Sequence, residues 1–314
     1  MVFDVTDKRV TVAGAARSGI AAAELLVRRG ARVTLSERRS EAPEVEPLRP
    51  MGVKVELGGH QPATFADADL IVLSPGVPGD QPVIESARAR GVPVIGEMEL
   101  ASRWLRGRVI AITGTKGKST TTALTGRILE TAGFKVTVGG NIGVPLSAQV
   151  SQSTPDTLHV VETSSFQLEQ IDTFHPWIAV LLNFSPDHLD RHPSVDAYAS
   201  AKARIFENQE AGDWAVVNAD DPTALELARR GAQQAATTRL FGRRSSPPDG
   251  TAVESGWIVD RSGPGGPATR LVPLDAIHLL GAHLVDDVMC GRFIVEGRTA
   301  ACDPAGDHLR PRRS

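Results

Sequence analysis

A glycine-rich turn between a buried strand and a helix contains the residue types that bind phosphate. The turn is Gly114-Thr115-Lys116-Gly117-Lys118-Ser119-Thr120, and it follows an apolar run at residues 109–112. A helix beginning near Lys118 would direct backbone N–H groups and its positive dipole end at an anion, and the lysine would add a charge. A hydroxyl from Ser119 or Thr120 could reach a nucleotide-bound Mg²⁺. The strict Walker pattern needs a glycine where Ile112 stands, so this loop is a shortened form of it. The order of its residues still predicts that it binds ATP or a close relative. The alternative is a βα turn that binds nothing.

A second glycine turn, Gly14-Ala15-Ala16-Arg17-Ser18-Gly19, follows a predicted strand at residues 9–13 and opens a helix. This is the position of a dinucleotide fingerprint, but Ala16 replaces the middle glycine and would hinder close approach of a pyrophosphate. Glu37 ends the next predicted strand, near where an acidic residue would hold a ribose. NAD, a nucleotide-containing substrate and a purely structural turn all stay open at this point.

Carboxylate, histidine and lysine side chains follow the later strands. Glu162 ends the predicted strand at residues 158–161, where a carboxylate could coordinate a Mg²⁺ bound to the phosphate loop. The segment 183–192, rich in Asp and His, follows the strand at 178–182 and is either a metal loop or a hydrogen-bonded turn. Lys202 lies on a predicted helix over 195–207 among small residues; it is either solvated or buried neutral, and a neutral amine can react with CO₂ to give a carbamate that binds metals.

Strand-like and helix-like segments alternate, which predicts parallel α/β layers. We expect an N-terminal Rossmann-like parallel sheet over residues 1–105 and a central P-loop ATPase-like α/β domain over 106–289. Residues 242–273 are rich in Gly, Pro, Arg and Ser and suggest a β-hairpin region at the domain edge. Residues 290–314 have little apolar periodicity and form an atypical tail, either native or the product of a frameshift or truncation.

Composition excludes several classes of protein. The 314 residues are 41% hydrophobic and 23% charged, with a net charge of −3, so no global basic field suggests nucleic acid or anionic lipid. No apolar run approaches the ~20 residues of a membrane span, and the N-terminus has no signal-peptide pattern. Two cysteines provide neither a disulfide framework nor a Cys-based metal site. We expect a soluble cytoplasmic protein, with nothing that demands more than a monomer.

Four motifs together resemble the Mur ligases. They are the loop at 114–120, Gly-Asn-Ile-Gly at 140–143, Glu-Thr-Ser-Ser-Phe-Gln-Leu-Glu at 162–169 and Ser-Pro-Asp-His-Leu-Asp-Arg-His at 185–192. Within the family, Ser-Ser-Phe-Gln-Leu and Ser74-Pro75-Gly76-Val77 most resemble the member that adds D-glutamate to UDP-N-acetylmuramoyl-L-alanine. The resemblance implies that ATP phosphorylates the alanine carboxylate and that the D-glutamate amine attacks the resulting acyl phosphate.

The resemblance also implies roles for particular residues. Lys118 should contact the ATP phosphates, Ser119 or Thr120 and Glu162 one Mg²⁺, and His188 a second Mg²⁺. Lys202 matches the family's carbamylated lysine, and Asn141 should contact the UDP-sugar. The uridine and diphosphate turns correspond to Gly14, Ala15, Ala16, Arg17, Ser18 and Gly19, to Glu37 and Arg38, and to Ser74, Pro75 and Gly76.

Two departures from the family pattern bear on activity. Leu284 and Asp287 stand where the family has asparagines near adenine. Because the sequence ends at Ser314, we also expect it to lack the family's third domain. The expectation is a chain that binds UDP-muramoyl-alanine but ligates little or not at all. The alternatives are an NAD-dependent oxidoreductase, a nucleotide-binding regulator or pseudoenzyme, and a sibling ligase such as a folylpolyglutamate synthase.

Overall fold

The computed structural model describes residues 3–231, 236–261, 266–277 and 289. These residues divide into two compact units. The first contains the described residues up to Arg106 together with Gly143–Ser153 and Phe166–Phe174. The second contains Gly107–Ile142, Thr154–Ser165 and the described residues from His175 onward. Two short segments within the predicted range 106–289 therefore belong to the first unit. The predicted tail and the segment with Leu284 and Asp287 lie outside the described residues.

The first unit alternates strands and helices along most of its length. In chain order the elements are β1 (Arg9–Ala13), α1 (Arg17–Arg28), β2 (Arg32–Ser36), a 3₁₀ turn (Pro43–Met51), β3 (Lys54–Glu56), α2 (Pro62–Ala66), β4 (Leu70–Leu73), α3 (Pro82–Ala89), β5 (Val94–Gly96) and α4 (Glu97–Ser102). The strands form one parallel sheet in the order β3-β2-β1-β4-β5. The N-terminal parallel sheet predicted from the sequence is confirmed.

The order of this sheet reverses between β1 and β4. Such a switch point leaves a crevice beyond the carboxyl ends of the strands, because the two connections leave in opposite directions. Two buried apolar clusters contain side chains of this sheet, and the second of them includes Phe65, Ile71 and Ile84. The buried side chains include Val12, Leu26, Leu35, Val72 and Leu100.

The rest of the chain adds a larger set of elements. They are β6 (Arg108–Thr113), α5 (Lys118–Thr131), β7 (Lys135–Gly140), α6 (Leu146–Gln149), β8 (Thr157–Glu162), α7 (Ser165–Leu168), β9 (Ile178–Leu181), α8 (Val195–Ala203), β10 (Trp214–Asn218), α9 (Pro222–Gly231), β11 (Thr237–Gly242), β12 (Gly250–Glu254), β13 (Trp257–Arg261) and β14 (Ala268–Pro273). Three 3₁₀ turns lie at Val150–Gln152, Arg204–Phe206 and Leu274–Ala276. Of these later elements, α6, most of α7 and the turn at Val150–Gln152 belong to the first unit.

The sheet of the second unit has the order β14-β13-β12-β11-β10-β9-β6-β8-β7. It is parallel from β7 to β12, and β12, β13 and β14 pair antiparallel. The antiparallel strands are the β-hairpin region expected at the domain edge. Ile110, Ile112, Val160, Val180 and Val216 form the centre of the core. Because β6 lies between β8 and β9, the loops that follow these three strands meet at one edge of the sheet.

None of the described helices is both long enough and apolar enough to span a bilayer.

Candidate functional site

Two glycines shape the loop between β6 and α5. Gly114 has a φ of +156° and Gly117 a φ of +83°, and the second value is in the left-handed region that favours glycine. A Cβ added at Gly114 would lie 3.0 Å from Cβ of Leu182, so this residue also passes close to the end of β9. Helix α5 begins at Lys118, as the sequence predicts, and Gly117 precedes it without a side chain to cap it.

The first half of the loop is bound to the segment that follows β9. The side-chain Oδ1 of Asn183 accepts hydrogen bonds from the N–H groups of Thr115 at 3.1 Å and Lys116 at 2.9 Å. The hydroxyl of Thr115 lies 3.0 Å from the carbonyl oxygen of Ser185 and 3.2 Å from the hydroxyl of Tyr198. The first half of the loop is therefore held by neighbouring elements.

Two lysine amines donate to carbonyls of the same loop. Nζ of Lys118 lies 3.0 Å from the carbonyl oxygen of Thr115, and Nζ of Lys202 lies 2.8 Å from that of Gly114. Burial lowers the pKa of Lys118, against the opposing charges of Glu162 and Asp187. Burial, and then the charge of Lys118, lower the pKa of Lys202 to about 7. At neutral pH a substantial fraction of Lys202 is therefore an uncharged amine.

Glu162 ends β8 beside β6 and is 1% exposed. Its Oε1 accepts a hydrogen bond from Nδ2 of Asn141 at 2.8 Å, whereas its buried Oε2 finds no partner among the described residues. An unpaired buried carboxylate oxygen is costly unless a cation meets it. Oε2 of Glu162 therefore fits the role of one oxygen ligand of Mg²⁺. Protein sites commonly hold this ion through one or two carboxylates together with substrate phosphates. The described residues contain no cluster of three acidic, histidine or cysteine side chains that could hold a metal alone.

Tyr198 lies between the two remaining predicted site residues. Tyr198 is 1% exposed. Its ring centroid lies 4.8 Å from Nζ of Lys202 and 6.1 Å from the ring centroid of His188. His188 has a φ of +54°, and its backbone N–H bonds to Oδ1 of Asp187 at 2.8 Å. Its side chain is 48% exposed. The structure thus brings His188 and Lys202 to one tyrosine ring, with His188 at the surface and Lys202 buried.

The first unit carries a separate cavity of about 680 Å³ at its switch point. The turn after β1 begins at Gly14, with a φ of +93°, and a Cβ on Gly19 would lie only 1.9 Å from the Gly14 carbonyl oxygen. Glu37 fixes this turn, because its Oε2 accepts the N–H of Ala15 at 2.8 Å and its Oε1 the N–H of Arg39 at 3.0 Å. Burial opposes these bonds, but they leave the pKa of Glu37 below its usual value. The carboxylate that the sequence suggested for a ribose is therefore engaged by the backbone.

Most of the substrate residues predicted for the first unit line this cavity. Those that do are Gly14, Ala15, Ala16, Arg17, Glu37, Arg38, Ser74 and Gly76. Ser18, Gly19 and Pro75 are not among the lining residues, and Asn141 belongs to the second unit. The hydroxyl of Ser74 is buried beside Gly14 and Gly19, at 3.7 and 3.6 Å from their added Cβ positions, so that side chain supports the turn.

Sequence reasoning did not single out His60, Asn183 or Tyr198. His60 lines the cavity with its Nδ1 2.8 Å from Oγ of Ser36, and burial lowers its pKa. Asn183 immediately follows a predicted strand, and that position was an available signal. Tyr198 is the only tyrosine of the chain, but no local pattern indicates that its hydroxyl reaches Thr115.

The fold and these sites define an α/β protein of the phosphate-loop class. Residues 112–262 match the model of the Mur ligase middle domain, and residues 8–96 match that of the Mur ligase MurD-like N-terminal domain. The chain belongs to the Mur ligase family, as the sequence motifs predicted.

Curated relatives agree with this assignment. A UDP-N-acetylmuramoylalanine–D-glutamate ligase of Koribacter versatilis is 48% identical over 290 residues, covering 91% of this chain and 63% of the relative. A ligase of the same name from Anaeromyxobacter dehalogenans is 52% identical over 268 residues, covering 84% of this chain and 56% of the relative. The chain thus spans less than two thirds of the length of the relatives it matches.

Solved structures agree on the fold. The UDP-N-acetylmuramate:L-alanyl-γ-D-glutamyl-meso-diaminopimelate ligase of Neisseria meningitides superposes with a TM-score of 0.60 at 18% identity, over 94% of each chain. The UDP-N-acetylmuramate–alanine ligase of Thermotoga maritima gives a TM-score of 0.52 at 21% identity, over 93% of this chain and 65% of its own. At these identities the likeness concerns the α/β architecture alone.

Proposed function

We propose that this chain binds ATP at the 114–120 loop and UDP-N-acetylmuramoyl-L-alanine at the first-unit cavity, for ligation to D-glutamate. The proposal extends to this chain the reaction stated in the names of its curated relatives. The observation that supports it is that Lys118 and Lys202 both donate to carbonyls of one phosphate loop and both feel the charge of Glu162, whose Oε2 has no partner among the described residues.

The reaction transfers a phosphoryl group and then forms an amide. An alanine carboxylate oxygen attacks the γ-phosphorus and ADP leaves; the D-glutamate amine then attacks the acyl carbon, loses a proton, and phosphate leaves. Lys118 offsets the charge that accumulates on the phosphoryl oxygens, and the backbone N–H groups at the start of α5 orient them. The helix already fixes these N–H groups, and the bond to the Thr115 carbonyl holds the Lys118 amine beside the loop.

Mur ligases use Mg²⁺ with ATP, and Glu162 with Ser119 or Thr120 would hold the first ion. Bound there, Mg²⁺ supplies charge stabilisation to the transferring phosphoryl group. A second ion would be held by His188 and a modified Lys202. Asn141 holds Oε1 of Glu162, which leaves Oε2 as the available ligand atom.

Lys202 becomes an oxygen ligand by carbamylation. The neutral amine attacks the carbon of CO₂, an N–C bond forms, and one proton leaves to solvent. The pKa of about 7 makes this reaction accessible at neutral pH, because only the unprotonated amine is nucleophilic. ¹³C NMR of the chain in ¹³C-bicarbonate should show a carbamate resonance that Lys202→Ala removes and Lys135→Ala keeps; a spectrum without that resonance refutes carbamylation.

Calorimetric titration tests the binding proposals directly. The chain should bind Mg·ATP and UDP-N-acetylmuramoyl-L-alanine, and Lys118→Ala should weaken ATP about tenfold or more, since a charge-assisted hydrogen bond contributes roughly 1.5–3 kcal/mol. Lys135→Ala, at an exposed lysine of the same unit, is the matched control. NADH is titrated alongside: binding of NADH without UDP-sugar would overturn the ligase assignment in favour of an oxidoreductase.

A further inference from the structure

We infer that Asn183 is a positioning residue that divides the phosphate loop into an anchored half and a binding half. The anchored half is Thr115 and Lys116, and the binding half begins at Gly117. The inference rests on the proposed nucleotide binding and deepens it, because it assigns the backbone N–H groups that meet phosphate.

The side-chain amide of Asn183 binds the loop through both of its polar atoms. Oδ1 accepts the N–H groups of Thr115 and Lys116, at 3.1 and 2.9 Å, while Nδ2 donates to the Lys116 carbonyl at 3.0 Å. The carbonyl oxygen of Asn183 adds a bond to the Thr115 N–H at 3.2 Å. An amide oxygen has two lone pairs, so these two donors saturate it. The N–H groups of Thr115 and Lys116 are therefore already hydrogen-bonded to Asn183.

Thr115 is held by its other polar atoms as well. Its hydroxyl donates to the Ser185 carbonyl and accepts the Ser185 N–H, both at 3.0 Å, and its own carbonyl accepts from Nζ of Lys118 at 3.0 Å. A phosphate that took the Thr115 or Lys116 N–H would have to break this set of bonds.

The second half of the loop has the opposite character. Helix α5 is 14 residues long, and the N–H groups of its first turn have no acceptor one turn earlier within the helix. Gly117, at the N-cap, has no side chain to accept them. A phosphate can meet the N–H groups of Lys118, Ser119 and Thr120 without displacing Asn183.

The donor atom of Asn183 explains why an amide suits this position better than a carboxylate. Aspartate would keep an acceptor for the two N–H groups, but its second oxygen would face the Lys116 carbonyl 3.0 Å away. It would also place a negative charge beside an anion site. Asn183→Asp therefore preserves shape and breaks the proposed function of the side chain, and Asn183→Ala removes the anchor altogether.

Hydrogen exchange of the 314-residue chain, resolved by NMR, tests the anchoring without nucleotide. The amides of Thr115 and Lys116 should exchange at least about tenfold more slowly than those of Lys118 and Ser119, and Asn183→Ala should remove this difference. The matched control is Asn218→Ala, because Asn218 also ends a strand and bonds to Leu182 and Asp220 instead of the loop. It should lower overall stability while the slow exchange at 115 and 116 remains.

Titration with magnesium tripolyphosphate tests the binding half. The amide resonances of Gly117–Thr120 should shift most, those of 115 and 116 should stay protected, and Asn183→Asp should weaken binding several-fold. Two results would overturn the division of the loop into an anchored half and a binding half. One is that the largest shifts occur at residues 115 and 116, and the other is that these two amides exchange at an unchanged rate in Asn183→Ala. If tripolyphosphate moves no amide, the proposed nucleotide site is refuted, and the exchange comparison still decides whether Asn183 anchors the loop.

Discussion

Replacement of Lys202 by methionine should stabilise the protein near neutral pH. Lys202 is 1% exposed, and the pKa of its amine falls from 10.5 to about 7, chiefly through burial and secondly through the charge of Lys118. Keeping this side chain in the fold at pH 7 therefore costs roughly 4 kcal/mol relative to the unfolded chain. Methionine fills a similar volume without a charge, and the lost bond to the Gly114 carbonyl costs about 1 kcal/mol. The variant should be more stable by about 3 kcal/mol at pH 7.

The stability difference between Lys202→Met and the wild type should depend on pH. Between pH 7 and 10.5 the unfolded chain holds a proton that the folded chain has lost, so the stability of the wild type rises with pH in that window. The rise amounts to about 2 kcal/mol from pH 7 to pH 9, and the methionine variant should lack it. The advantage of the variant should therefore shrink to about 1 kcal/mol at pH 9.

Urea denaturation at pH 7 and pH 9, in buffers sparged of CO₂, measures both quantities. Removal of CO₂ is necessary because a carbamate would replace the titrating amine by an anion. Lys135→Met, at an exposed lysine of the same unit, controls for the loss of a positive charge. A Lys202→Met protein that is less stable than the wild type at pH 7, or whose difference is the same at both pH values, would refute the burial argument.

Three further changes test other parts of the structure. Glu99→Gln removes a fully buried carboxylate that binds three backbone N–H groups and Arg103, so it should cost about 3 kcal/mol in chemical denaturation. Burial raises the pKa of Glu99, but its hydrogen bonds outweigh burial and hold the pKa below its usual value. The wild type therefore loses this stabilisation as the pH falls through the pKa of the folded state, and the cost of the substitution should vanish in acid. Glu162→Gln should reduce ATP affinity about tenfold in Mg²⁺ and little in EDTA, measured by calorimetry. Gly19→Ala places Cβ 1.9 Å from the Gly14 carbonyl oxygen, so binding of the UDP-sugar should be lost while ATP binding persists.

Local sequence patterns located the strands that are buried on both faces. The predicted strand at residues 9–13 coincides with β1, and those at 158–161 and 178–182 agree with β8 and β9 to within one residue at each end, because each is a short run dominated by β-branched and apolar residues. Strand β7, Lys135–Gly140, was missed because it ends in two glycines, whose lack of side chains weakens the signal. Helix α4 was missed for another reason. Its buried Glu97 and Glu99 bind backbone about 50 and 75 residues away, and a local pattern contains no information on such contacts.

The same distinction applies to the candidate sites. The order of strand, glycine turn and helix indicated where the phosphate loop lies, and the strand-end rule indicated Glu162. The roles given to these residues stay predictions. The sequence did not indicate that Asn183 and Tyr198 contact the loop, since those contacts connect residues 67 to 83 positions apart. A short polar side chain after a strand can face either an adjacent loop or solvent. Which of the two it faces depends on how that loop packs.

Two lysine amines, that of the half-buried Lys118 in the loop and that of the buried Lys202 on α8, donate to carbonyl oxygens of the loop. Carbonyl dipoles offset part of each charge, but the two ammonium groups also repel each other, and the deeper one, Lys202, loses its proton more readily. An incoming phosphate would favour both charged forms, whereas CO₂ reacts only with the neutral form of Lys202. For the carbamylation proposed above, we therefore predict that CO₂ reacts with Lys202 before nucleotide binds, while burial keeps the amine neutral. Lys118 would then remain as the cation for the phosphoryl group.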